Sequence, residues 1–202
     1  GDEVVIDFTV PSATMEFVKI VEKKNSRIVI GTTGFSEDQI ELIKKISQKV
    51  PVFLAPNMSF GVNMFFEIVK YATKLLKGYE IEITEVHHHF KKDAPSGTAK
   101  KIAEIICEVL GRDKNKVLKY GREGITGPRN PEEIGIHAIR IGDVVGHHTV
   151  YYGATGEVIE ISHKCHNREA FASGAIKAAI YLSKKDKGFY GMEDLIREEV
   201  NG

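Results

Sequence analysis

Three short apolar runs, Val4-Val5-Ile6-Asp7-Phe8, Ile28-Val29-Ile30 and Val50 to Ala55, alternate with two stretches of helical periodicity over the first 55 residues. Runs apolar on both faces suit strands that are covered on both sides, and the amphipathic helices between them supply the cover. The pattern therefore predicts a parallel sheet joined by right-handed crossovers. The first helix follows Thr9-Val10-Pro11-Ser12 and carries Phe17, Val18, Ile20 and Val21. The second opens at a capping box, Ser36-Glu37-Asp38-Gln39, and carries Ile40, Ile43 and Ile46.

Ligands of such sheets gather beyond the carboxyl ends of the strands. Three loops qualify: Phe8-Thr9-Val10, Gly31-Thr32-Thr33-Gly34 and Ala55-Pro56-Asn57-Met58. The glycines let a phosphate or ring approach the backbone, and the threonine hydroxyls are candidates to bond it. The plainer reading of Gly31 and Gly34 is a tight turn before a helix. No G-x-G-x-x-G occurs, and the chain starts almost inside a strand. A complete dinucleotide fold would call for a further βαβ unit ahead of Gly1, roughly 30 residues or more.

A helix from Ser59-Phe60-Gly61 to about Leu76 leads to the densest chemistry in the chain, Glu80 to Ala99. Glu80 to Phe90 alternates as a strand, with Ile81, Ile83, Glu85, His87 and His89 on one side and His88 on the other. Pro95-Ser96-Gly97-Thr98 then turns the chain into a helix with the stripe Ala99, Ile102, Ala103, Ile106, Val109 and Leu110. Ser96 is its expected N-cap. A helix start of this kind attracts anions, and Lys91 and Lys92 add full positive charge. The combination reads as a carboxylate pocket beside a titratable imidazole.

Residues 111 to 133 read as a long loop, which in a compact domain is functional or mobile. Three strands follow, 136–141, 145–152 and 157–162, with turns at Gly142-Asp143 and Ala154-Thr155-Gly156 short enough for hairpins. Only two helices are at hand to cover this sheet, so its second face is expected to pack on another subunit. A helix rich in small residues, Arg168 to Leu182, is expected to close the ordered chain.

Lys plus Arg and Asp plus Glu both number 28, so no global field draws in nucleic acid or an anionic membrane. No run reaches the roughly 18 apolar residues of a membrane helix, and no signal-type core opens the chain. Cys107 and Cys165 lie far apart outside any CxxC, which favours a reducing, cytoplasmic setting. A metal site is the rival reading of His87-His88-His89, His147-His148, His163 and His166. Neighbours on a strand point apart, so at best His87 and His89 share an ion, and no metal is expected.

The stretch Glu85-Val86-His87-His88-His89-Phe90-Lys91-Lys92-Asp93-Ala94-Pro95-Ser96-Gly97-Thr98-Ala99 resembles the signature E-x-H-H-x-x-K-x-D-A-P-S-G-T-A of the dihydrodipicolinate reductases. Asp7-Phe8-Thr9, Gly31-Thr32-Thr33-Gly34, Ala55-Pro56-Asn57 with Ser59, Gly121-Arg122-Glu123-Gly124, Arg140-x-Gly142-Asp143-x-x-Gly146 and His163-Lys164 with Arg168 are similar as well, in the family's order. The glycine-rich first strand and loop of that family has no counterpart in the sequence. The resemblance implies an α/β fold: a partial Rossmann-like parallel-sheet domain (1–58 and 168–202) plus an α+β domain with a mixed, largely antiparallel sheet (59–167) for substrate binding and oligomerisation. It implies an NAD(P)H-dependent reductase of a small cyclic dicarboxylate and a homotetramer. His87 and Lys91 would be catalytic, and His88, Ser96, Gly97 and Thr98 would hold the substrate carboxylates. Phe8, Thr9, Gly31, Thr32, Thr33, Ala55, Pro56, Asn57, Met58 and Arg168 would line the site of NADH or NADPH. A non-catalytic dicarboxylate-binding relative is the alternative.

Overall fold

Val4–Asp7 (β1), Arg27–Ile30 (β2) and Pro51–Leu54 (β3) lie side by side and parallel in the computed structural model, which describes residues 3–201. Residues 1, 2 and 202 of the expected domain ranges lie outside the described residues. The connections are Pro11–Lys24 (α1), with Pro11 at its first turn, and Glu37–Ser47 (α2). Proline suits that position because the N–H it lacks has no helical partner there. The Ser36 side chain accepts from Gln39 N–H while the Gln39 side chain accepts from Ser36 N–H, the capping box expected from the sequence.

The expected helix of small residues runs Glu169–Ser183 (α6), and it does not close the ordered chain. Gly188–Tyr190 (β9) adds a fourth parallel strand beside β3, and Met192–Asn201 (α7) follows. The sheet order is β1-β2-β3-β9. Ile28, Ile30, Val50 and Val52 pack with Val18, Val21, Ile43 and Ile46 of α1 and α2. Val29 and Phe53 pack with Ala175, Ala178 and Leu182 of α6 and Leu195 of α7. Consecutive residues of one strand enter opposite cores, which is why these runs are apolar throughout. A Cβ on Gly174 would stand 1.7 Å from the Met58 carbonyl oxygen, so glycine is what lets α6 lie against the loop after β3.

This unit comprises the chain up to Asn63 and from Glu169 onward; the second comprises Met64–Arg168. The helix Phe60–Leu75 (α3) runs from one into the other. In the second unit, Glu80–His87 (β4) leads to Gly97–Leu110 (α4). Residues 111 to 133 are not a bare loop: Lys114–Val117 (α5) and Leu118–Tyr120 (β5) interrupt it. Ile134–Arg140 (β6), Gly146–Ala154 (β7) and Glu157–Cys165 (β8) complete a sheet of order β5-β6-β4-β7-β8.

β7 and β8 form the expected hairpin, with Ala154 opposite Glu157. β6 and β7 do not. β4 lies between them, parallel to β6 and antiparallel to β7, and the Gly142-Asp143 turn crosses over its end. His88 N–H donates to Val144 O at 2.7 Å and His89 N–H to Gly142 O at 3.2 Å. Those bonds end the strand at His87, short of the expected Phe90, and His89 is exposed beyond it rather than on the buried side.

One face of this sheet, with Ile81, Ile83, Ile134, Ile136, Val150 and Tyr152, is covered by Phe65 and Val69 of α3 and Ile102 and Ile106 of α4. The hydroxyl of fully buried Tyr152 meets Thr73 Oγ1 at 2.7 Å, so the ring is buried without an unsatisfied oxygen. On the strands away from that cover, Ile139 and Val158 are exposed.

Candidate active site

Alternation along β4 turns Glu85 and His87 to the same, helix-covered side as Ile81 and Ile83. A fully buried carboxylate is tolerated only with its lone pairs filled by strong donors. Glu85 has four. Arg140 at the end of β6 donates through both terminal nitrogens, at 2.8 Å to Oε1 and 2.9 Å to Oε2. Ser96 N–H donates to Oε1 at 3.0 Å, and His87 Nδ1 closes on Oε2. Burial works to raise the Glu85 pKa, but these partners outweigh it and hold the carboxyl below its usual range. Arg140 is held more firmly protonated by the same carboxylate.

An ionised Glu85 sets the tautomer of His87: Nδ1–H is the donor, leaving Nε2 with its lone pair. Nε2 looks towards Gly146 at the start of β7, where a Cβ would be 3.0 Å away. Burial lowers the His87 pKa most, and the charges of Lys91 and Arg140 push the same way against the opposing pull of Glu85. The ring is therefore neutral around pH 7 and has a basic nitrogen ready to take a proton.

His148, opposite Glu85 across the β4–β7 pair, is the second imidazole. It is 3% exposed, stands edge-on to His87 with ring centroids 5.2 Å apart, and places Nε2 3.0 Å from Ser96 Oγ. Burial pushes its pKa down to about 3. Ser96 is the N-cap of α4, as expected, with Ala99 N–H donating to Oγ at 3.2 Å. Lys91 lies beyond the strand, its Nζ 2.8 Å from Asp93 Oδ1, and Arg140 also donates to Asp93 O at 2.7 Å. The segment carrying Lys91 is thus tied to the same arginine.

The structure brings His87, Lys91 and Ser96 together, with Gly97 and Thr98 at the opening turn of α4. His88 is half-buried at the strand end, its Nδ1 without a hydrogen-bond partner among the described residues. Sequence reasoning gave Glu85, Arg140 and Gly146 no role beyond their place in family-like motifs, and His148 none beyond the rival metal reading. The signal for Glu85 was present in its two-residue spacing from His87. No local signal ties Arg140 to Glu85 or His148 to Ser96; both reach the site through strand order.

The loops after β1, β2 and β3 lie at one end of their sheet, as expected, but their side chains differ from expectation. Asp7 is buried and accepts from Thr9 N–H at 2.9 Å, Thr9 Oγ1 at 2.6 Å, Thr32 Oγ1 at 3.3 Å and Thr14 Oγ1. Those bonds overcome burial and hold its pKa low. The hydroxyls of Thr9 and Thr32 are thus turned to a carboxylate that would otherwise be buried without partners. The Ala55 and Met58 side chains belong to the core, so only their backbone is open to a ligand. Thr33 and Pro56 are exposed, and Asn57 is half-buried with its Oδ1 capping Ser59 N–H at 2.9 Å. Phe8 is 50% exposed, and its ring fills the place of the missing Gly31 Cβ, at 2.4 Å. Gly31 therefore seats the Phe8 ring, which a side chain at that position would displace. Arg168 is exposed at the end of the second unit. Among the described residues no group of three His, Cys, Asp or Glu could hold a metal, and no helix is long and apolar enough to cross a membrane.

The chain thus pairs a parallel sheet, with three loops at the carboxyl ends of its strands, with a separate mixed sheet that carries a buried Glu–His–Arg cluster at a capped helix start. Family models described as dihydrodipicolinate reductase N-terminus and C-terminus match residues 1–58 and 61–196. The 4-hydroxy-tetrahydrodipicolinate reductase of Syntrophus aciditrophicus is 48% identical over 97% of this chain and 74% of its own length. That of Hahella chejuensis is also 48% identical, over 96% and 73%. A solved structure of dipicolinate-bound dihydrodipicolinate reductase from Paenisporosarcina sp. TG-14 superposes with a TM-score of 0.74 at 31% identity, covering 95% of this chain and 72% of that one. The chain belongs to the dihydrodipicolinate reductase family, enzymes that use NADH or NADPH.

Proposed function

We infer that this chain catalyses the reduction named by its relatives, using NADH or NADPH to convert 4-hydroxy-tetrahydrodipicolinate to tetrahydrodipicolinate in lysine and diaminopimelate biosynthesis. The observation that carries the reading is the Glu85–His87–Arg140 cluster beside the Ser96 helix start, in a chain 48% identical to named reductases. The names dihydrodipicolinate and 4-hydroxy-tetrahydrodipicolinate differ by one water, which must leave before or during reduction. The nicotinamide, when bound, supplies a hydride. The unit up to Asn63 and from Glu169 onward would hold it on the backbone of Gly31–Gly34 and Ala55–Met58 and the ring of Phe8. We assign dinucleotide binding to 1–58 and 168–202, and substrate binding and oligomerisation to 59–167; the two compact units divide a few residues later, after Asn63 and after Arg168.

In the second unit, Ser96, Gly97 and Thr98 present a hydroxyl and the unpaired N–H groups of the first turn of α4 to a substrate carboxylate, and His88 serves the other. Adding hydride to a conjugated ring leaves negative charge on the neighbouring atoms, and a cation and a positioned proton lower that barrier. Lys91 supplies the cation. His87, charged at Nε2 once the dianionic substrate is bound, supplies the proton, with Glu85 stabilising the imidazolium. The open face of the mixed sheet suits a homotetramer, and a cytoplasmic setting suits two free cysteines.

The test is turnover of the dicarboxylate by His87→Ala and Lys91→Ala. Each should fall by about 10² to 10⁴-fold, the usual worth of general acid catalysis. Near wild-type rates for both would overturn the assignment.

A further inference from the structure

Ser96 Oγ can accept two hydrogen bonds and donate one. Ala99 N–H occupies one accepting position at 3.2 Å, and His148 Nε2 lies 3.0 Å away. The direction of that second bond decides what the serine offers a ligand, and His148 itself decides the direction. Its Nδ1 is buried and has no hydrogen-bond partner among the described residues. If Ser96 donated to Nε2, the proton of the neutral ring would sit on Nδ1, leaving a buried N–H with no acceptor. If Nε2–H donates to Ser96, Nδ1 carries only an unpaired lone pair. Unpaired buried N–H groups are rarer in folded proteins than under-used acceptors. A doubly protonated ring would add a charge to the same partnerless nitrogen, 5.2 Å from the His87 ring.

We propose that His148 is a positioning residue for the substrate site: a neutral imidazole whose Nε2–H fills the second lone pair of Ser96 and makes the serine hydroxyl an obligatory donor to a ligand carboxylate. Both accepting positions of Oγ are then taken, so a carboxylate is welcomed and a donor group at the same place is refused. The edge-on contact holds His148 against His87, and Gly146 leaves room for both rings. This rests on the reading of Ser96 as a carboxylate ligand, and the tests separate the two claims.

The tautomer is read without any ligand, from the ring nitrogen shifts of ¹⁵N-labelled protein near neutral pH: Nε2 should bear the proton and Nδ1 none. A proton on Nδ1 overturns the proposal. The consequence for binding is read with pyridine-2,6-dicarboxylate as probe in calorimetry. His148→Phe keeps a ring of similar bulk without the donor and should weaken binding roughly ten- to hundredfold, the range for hydrogen bonds to charged groups. It should raise KM more than it lowers kcat. His148→Gln, which restores an amide donor, should recover most of the loss, and His148→Phe in a Ser96→Ala background should add little to Ser96→Ala alone. Full additivity, or a glutamine no better than phenylalanine, assigns His148 to packing alone and overturns the proposal. Unchanged probe affinity in Ser96→Ala overturns the carboxylate role of Ser96, and with it the role of His148 towards substrate, even with the proton on Nε2.

Discussion

Arg140 closes its two terminal nitrogens on the two carboxylate oxygens of Glu85, residues 55 apart in the chain that are brought together because β4 and β6 pair in parallel. Since His87 bonds the same carboxylate, the pair governs the imidazole. Replacing Glu85 with Gln offers amide hydrogens to Arg140 and lets His87 accept at Nδ1, which moves its proton to Nε2. Turnover should fall at least about a hundredfold, as expected when a positioned acid–base group loses its orientation. Glu85 raises the His87 pKa, so the His87-dependent limb of the kcat/KM profile should also move to lower pH. A limb that stays in place, or moves up, contradicts the assignment.

Gly146→Ala puts a methyl group 3.0 Å from His87 Nε2 and 3.7 Å from His148 Cε1. The His87 ring must give way by a few tenths of an ångström in the place where the proton is handled, while His148 stays at ordinary contact distance. Because small misplacements of catalytic groups are expensive, kcat should drop on the order of 10 to 100-fold while melting temperature changes little. Steady-state kinetics and a thermal melt on the same preparation decide it; a large loss of stability with intact kcat would contradict it.

Gly174→Ala tests the other unit. Its Cβ would meet backbone, the Met58 carbonyl, at 1.7 Å, which no side-chain rotation relieves. The variant should lose roughly 1 to 3 kcal/mol or more, as overpacked interiors do. The loop displaced is Ala55–Met58, so affinity for NADH or NADPH should weaken as well. Urea unfolding and cofactor titration together check this, and an unperturbed midpoint would refute it.

Stability should fall with acid in two separate windows. His87, His147, His148 and His163 are all depressed below the ordinary 6.5, chiefly by burial. The unfolded chain therefore takes up protons near pH 6.5 that the folded chain refuses, and stability declines as pH drops below that value. For His148 the decline continues to about 3. Asp7, Glu82 and Glu85 are held low, so their stabilisation is complete above about 4.5 and is lost only below it. Between pH 6.5 and 5 the histidines act alone. His148→Gln should flatten the slope of unfolding free energy there by about 1.4 kcal/mol per pH unit, one proton's worth. An unchanged slope in urea titrations at several pH values would show that His148 is not held neutral.

What the sequence by itself determined is what has a local period or a local partner. Apolar runs of four residues, the Ser36–Gln39 box, the Ser96 cap and the alternation that puts Glu85 and His87 on one side all follow from neighbours within a few positions. β5 and β9 were illegible, because strands of three residues are defined by the strand beside them rather than by any pattern of their own. Thr9 and Thr32 turn inward because Asp7 is buried and must be satisfied, which no loop composition announces. Above all, the insertion of β4 between β6 and β7 was decided by tertiary structure. A turn at Gly142-Asp143 fits a hairpin as well as a crossover, and only packing against α3 and α4 selects between them. That choice carries Arg140 to Glu85 and His148 to Ser96, and so completes a site whose histidine the sequence already displayed.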